Sequence, residues 1–135
     1  MLVPAGFLVV LILASIAVDM SIVQLRQRQA FDFASSAAND AATAAAESVR
    51  QGDGPRDVRV DLHSAQVLVG QELAASELAP HVVGRPLVRV AGNQVEVRLS
   101  VRAGYVFAKA IPGAPDGTTV TVHATAVAQT ITDGA

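Results

Sequence analysis

The sequence predicts an α+β chain: one long N-terminal helix, then a small domain with one short helix and a three- to four-stranded, mostly antiparallel sheet. Three observations carry that reading. Val3 to Val23 reads VPAGFLVVLILASIAVDMSIV, an apolar run broken by the single charge Asp19. Gln24 to Arg50 holds neither glycine nor proline and is dominated by alanine, the best helix former. Beyond Gln51-Gly52-Asp53-Gly54-Pro55, whose glycines and proline stop a helix, valines begin to alternate with polar residues. The expected organisation is a transmembrane helix over residues 1–23 and a soluble alanine-rich helix continuing it over 24–50. A linker follows at 51–56, then a small α+β domain at 57–135.

The apolar run has the length of a membrane span, since about 20 residues cross roughly 30 Å of hydrocarbon. It shows no polar face before Asp19, as a lipid-exposed helix requires and a core helix of a small soluble domain does not. Pro4 falls in the first turn, where proline starts a helix without breaking it. A helix from Pro4 to Arg50 would extend about 70 Å, roughly half of it beyond the bilayer. Ser15-Ile16-Ala17 supplies small residues suited to signal cleavage after Ala17. The positive n-region is missing, however, and the apolar run continues through Met20, Ile22 and Val23, so the span is expected to stay. Arg26 and Arg28 after the span would favour a cytoplasmic head by the positive-inside rule. Asp32 and Asp40 lie near them, and a positive charge upstream of Met1 would reverse the bias.

Within the span, Ala14, Ala17 and Ser21 recur at three- and four-residue spacing, a small-residue stripe of the kind that lets membrane helices approach closely. Asp19 has two readings. A carboxylate costs about 2.5–3.5 kcal/mol at the bilayer centre but less near its edge, where Asp19 would reach headgroups or water. Alternatively it is a pairing charge that selects a neighbouring helix. Past the span, Ala30, Ala34, Ala37, Ala41, Ala44 and Ser48 follow 4-3-4-3-4 spacing, flanked by Phe31, Phe33, Ala38, Ala42 and Ala45. Such a face buries little area per residue, so it stabilises through close backbone approach, either to the chain's own sheet or to the same helix in another copy.

Val58-Arg59-Val60 is a short strand candidate. Asp61 or Ser64 caps a second helix running roughly to Leu78 and ended by Pro80, with Leu62, Ala65, Val69, Leu73 and Ser76 on its apolar side. Leu87–Ala91 and Gln94–Arg102 flank Gly92-Asn93, a two-residue hairpin turn. Val95, Val97, Leu99 and Val101 face one way and Glu96, Arg98, Ser100 and Arg102 the other. A helical turn is expected through Phe107-Ala108-Lys109. Thr118 to Ile131 reads as a long strand whose Val120, Val122, Ala124, Ala126 and Ala128 share a face that narrows to alanine. An alanine-faced strand suits an alanine-faced helix, so Ala34–Ala45 is expected to pack across Ala124–Ala128.

Chemistry is not evident. His63, His81 and His123 show no metal-ligand spacing, and no serine-nucleophile signature or phosphate-binding loop occurs. Cysteine is absent and the formal net charge is −2, which argues against thiolate metal sites and against nucleic acid. No catalytic residue, cofactor, metal or small-molecule substrate is expected.

One resemblance stands out. Ala17-Val18-Asp19, Gln27-Arg28-Gln29 and Ala34-Ser35-Ser36-Ala37-Ala38-Asn39-Asp40-Ala41-Ala42 resemble the TadE/TadG-like proteins of Flp-type (tight adherence) pilus systems. Those run from an apolar span with a late Asp, through an Arg-Gln stretch, into an Ala-Asp-Ala-Ala run. The resemblance implies a pilin-like stick and a non-enzymatic, single-pass, pseudopilin-like component of pilus assembly in the cytoplasmic membrane. Its β domain would lie outside the cytoplasm, and its partners would be the lipid bilayer and other pilin-like or Tad membrane proteins. Helix association would fall to Ala14, Ala17, Asp19 and Ser21, and packing of the soluble helix to Ala34, Ala37 and Ala41 against Ala124, Ala126 and Ala128. The Gly-to-Glu processing spacing of pilins is not kept, since Leu11 stands five residues after Gly6. The alternative is a tethered or secreted cell-envelope binding domain whose N-terminus is only a signal or anchor.

Overall fold

The computed structural model describes residues 2–51 and 60–129. A single helix, α1, runs without interruption over Leu2–Gln51, about 75 Å at 1.5 Å per residue. The head that follows contains α2 (Leu62–Ala75), β1 (Leu87–Ala91), β2 (Gln94–Gly104) and β3 (Gly117–Val127). Short 3-10 turns lie at Ala79–His81 and Ala108–Ala110. The architecture is α+β as expected. Residues 52–56 of the expected linker, Val58 and Arg59 of the first strand candidate, and Thr130 and Ile131 of the last strand lie outside the described residues.

The three strands form an antiparallel meander in the order β1-β2-β3. The β1–β2 hairpin closes with Ala91 opposite Gln94, and Gly92 takes a φ of 61°. Only the first of its two loop residues has positive φ, the pattern of a type II′ turn, whose twist matches the flanking strands. Asn93 also ties this turn to the far end of β3: its carbonyl accepts from Ala128 N at 2.7 Å, and its Nδ2 donates to Ala128 O at 3.2 Å. The period-2 pattern decides the faces. Val95, Val97, Leu99, Val101 and Ala103 of β2 and Val122, Ala124 and Ala126 of β3 are buried, joined by Val88 and Ala128. The other face holds Arg98 beside Glu96 at 3.3 Å, Ser100 bonded to Thr121 at 2.9 Å, and an exposed His123.

α1 lies across β2 and β3, and α2 packs against α1 and β1. Ala30, Ala34, Ala37, Ala38, Ala41 and Ala42 are buried in one cluster with the valines of the sheet and with Ala124, Ala126 and Ala128. Ala44 departs from the expectation, being exposed, while its supposed flanks Ala38 and Ala42 are buried. A 4-3 repeat averages 3.5 residues per turn and slips by about 20° per heptad on a straight helix of 3.6. Two heptads beyond Ala30, Ala44 has rotated off the sheet.

α2 begins three turns' worth of pattern as expected but ends early. Asp61 caps it, accepting from Ser64 N at 2.8 Å and Ser64 Oγ at 2.7 Å, and these bonds hold its carboxyl below the usual carboxylate range. Ala65 and Val69 are buried, but Leu62 at the first turn is exposed. The helix stops at Ala75, not Leu78, because Ser76 turns to extended backbone and its Oγ accepts from Leu78 N at 3.1 Å. Serine competes in this way for nearby backbone groups.

Glu72 of α2 meets Asp40 of α1, and partial burial followed by the charge of Asp40 raises the Glu72 carboxyl above its ordinary value. A raised folded-state pKa contributes stability that is present at low pH and is lost as pH rises through that pKa. Glu72→Gln is therefore expected to stabilise the head at neutral pH, and the gain over wild type should shrink as pH falls and wild-type Glu72 takes up its own proton. Thermal melts of the two proteins in detergent across that pH range check the sign. A gain independent of pH would show that repulsion at Glu72 is not its source.

Candidate functional site

Two features of α1 stand apart from ordinary core packing: a bare apolar half and one buried carboxylate. From Val3 to Met20 the large apolar side chains are exposed, with Phe7, Val10 and Leu13 each above 60%. This is one helix long and apolar enough to cross a membrane.

Asp19 is the sole charged residue inside that stretch and is only 7% exposed. What buries it is the loop between β2 and β3. Asp19 Oδ1 accepts from the backbone N–H of Val106 at 2.8 Å and of Phe107 at 3.2 Å, and Oδ2 accepts from Ala108 N at 2.9 Å. Consecutive N–H groups opening a 3-10 turn have no partner within the turn, so they form a concave donor set suited to an anion. Here the anion is a carboxylate 87 to 89 residues earlier in the chain. The loop's neck is fastened separately, by Tyr105 N donating to Asp116 O at 2.8 Å and by an Arg102–Asp116 ion pair. Gly117 is required at that neck, since a Cβ there would stand 2.5 Å from the Ala103 carbonyl oxygen.

The structure separates the residues expected to pair helices. Asp19 and Ala30 are eleven residues apart, close to three full turns, so Asp19 lies on the face that α1 turns toward its own head. Ala14, Ala17 and Ser21 fall on the opposite side, about 180° away, and all three are exposed. Ser21 Oγ donates to Ala17 O at 2.8 Å, so the hydroxyl spends its proton within the helix. Asp19 is not a bare charge in this chain: both its carboxylate oxygens accept from its own β2–β3 loop. Its partners are in its own chain.

The histidines stay apart: His63 on α2 and His123 on β3 are exposed, and His81 ends a 3-10 turn. No group of three or more His, Cys, Asp or Glu suited to a metal occurs among the described residues. Gln24, Gln27, Arg28, Phe31 and Asp32 of α1 and Val122 of β3 line a shallow groove of mixed polarity. No known protein family matches the chain, and no curated protein or solved structure does either.

Proposed function

We propose that the protein is a non-enzymatic, single-pass membrane component of Flp/Tad-type pilus assembly. It would be minor and pseudopilin-like, and would associate with other pilin-like helices through the exposed Ala14, Ala17 and Ser21. One observation carries the reading: a single rod that is apolar on every side up to Val18 and whose second half packs one face on a small antiparallel sheet. A rod of this kind suits a span that continues directly into a head, because no hinge separates the two. The small-residue face points away from the head, so a second helix can reach it without meeting the sheet. The sequence resemblance supplies the pilus context, and the head is assigned to the outside of the cytoplasmic membrane on that ground.

The test has two parts. Fractionation with N-terminal sequencing is expected to find the mature chain in the membrane with its apolar half retained. A soluble chain beginning at Val18 would instead support a secreted envelope domain and overturn the assignment. Single cysteines at Ala14 or Ala17, unique because the native chain has none, are expected to crosslink to pilin-like membrane proteins. Crosslinks from the head alone would count against association through the span.

A further inference from the structure

The β2–β3 loop presents an apolar surface that the fold does not use. Val106, Phe107 and Ile111 are 49%, 46% and 61% exposed, although they fall within six positions of one another. Elsewhere on the head, apolar side chains such as Leu62, Val67, Val83, Leu87 and Val127 are also exposed, as on any soluble surface. This cluster differs in where it is held. Asp19 grips the three N–H groups at its start, and Asp19 lies at the end of the bare apolar run of α1.

The height of that grip follows from helix geometry. Val3 to Val18 covers roughly 24 Å, so a hydrocarbon layer of about 30 Å ends within the turn or so after Asp19. The loop is therefore fixed at the level where the span would leave the lipid. Its composition fits that level: Tyr105 precedes the apolar residues, as aromatic residues do at membrane boundaries, and Lys109 among them can extend its ammonium toward headgroups. The loop's N–H groups at Val106, Phe107 and Ala108 are already satisfied by Asp19, which lowers the cost of bringing this irregular backbone to the lipid boundary.

We propose that Tyr105–Ile111 is a second membrane contact, with Val106, Phe107 and Ile111 entering the lipid interface beside the spanning helix. The head would then be seated on the bilayer at two points and held in one orientation. This rests on the reading of α1 as a membrane span, and the experiment separates the two.

Single cysteines at Val106, Phe107 and Ile111 would be spin-labelled in the full-length chain, reconstituted in phosphatidylcholine–phosphatidylglycerol vesicles. Collision with oxygen would be compared with collision with a water-soluble nickel chelate. Leu11→Cys in the span and Thr121→Cys on the outer face of the sheet give the lipid and water references. The three loop positions are expected to show an oxygen-to-nickel ratio several-fold above that of position 121 and approaching that of position 11. Loop labels matching position 121 while position 11 reports lipid would overturn the contact and leave the span standing. Labels shielded from both reagents would overturn it in favour of a protein partner. Position 11 reporting water would bring down the span and the contact together.

Discussion

Replacing Ala37 or Ala124 by leucine is expected to destabilise the head by about 1–3 kcal/mol. The sign is not obvious from hydrophobicity. Leucine adds three carbons, and at about 0.8 kcal/mol for each one buried the substitution would stabilise by roughly 2 kcal/mol if room existed. Room is what the interface lacks. Ala37 is fully buried on α1 and Ala124 is 7% exposed on β3, in a core cluster made mostly of alanine and valine. With side chains this small, helix and sheet are held by dispersion between closely approaching backbones, which falls away steeply when they are pried apart. Ala44→Leu is the control, because Ala44 is exposed on the same helix and the same bulk there meets solvent. Thermal melts of the full chain in detergent read the difference, at about 4–8 °C per kcal/mol for a domain of this size. Equal melting of the Ala37, Ala44 and Ala124 variants would mean that the helix does not seat on the sheet.

The alternation of β2 and β3 was legible because each strand buries one face only. A period of two then names every inward residue from Val95 to Val101 and from Val122 to Ala128. Gly92-Asn93 was legible for a local reason, since few dipeptides suit a two-residue turn. Ala44 was misplaced because a spacing rule of 4-3 tracks a supercoil of helices and not a straight helix against a twisted sheet. The partner of Asp19 was hidden for a different reason: it consists of backbone N–H groups, which carry no residue identity. Half of the answer was still present, since the eleven-residue interval from Asp19 to Ala30 puts the carboxylate on the head-facing side of α1. The helical turn expected through Phe107-Ala108-Lys109, found as a 3-10 turn at Ala108–Ala110, supplied the other half, because the start of any helical turn presents free donors.

Asp19→Ala is expected to release the β2–β3 loop while leaving the rest of the head folded. The substitution removes the acceptor for three N–H groups at once, and no side chain within the 3-10 turn replaces it. The amides of Val106, Phe107 and Ala108 should exchange with deuterium about tenfold faster or more, whereas those of Val97 and Leu99 in the central strand should hardly change. Asp19→Asn sharpens the test, because the amide keeps one acceptor oxygen and puts a donor where Oδ2 receives Ala108 N–H. If that oxygen stays at the Oδ1 position, Val106 and Phe107 retain part of their protection and Ala108 loses more. The expected order is Asp above Asn above Ala. The same variants discriminate the two uses of the charge. A carboxylate that selects a neighbouring helix would, when removed, weaken crosslinking from Ala14 and Ala17 and leave loop exchange untouched. A carboxylate that seats the head on its own rod does the reverse, because the small-residue face lies on the far side of α1. Unchanged exchange at Val106, Phe107 and Ala108 in the Asp19→Ala chain would therefore refute the intramolecular role, and with it the fixed height on which the loop's contact with lipid depends.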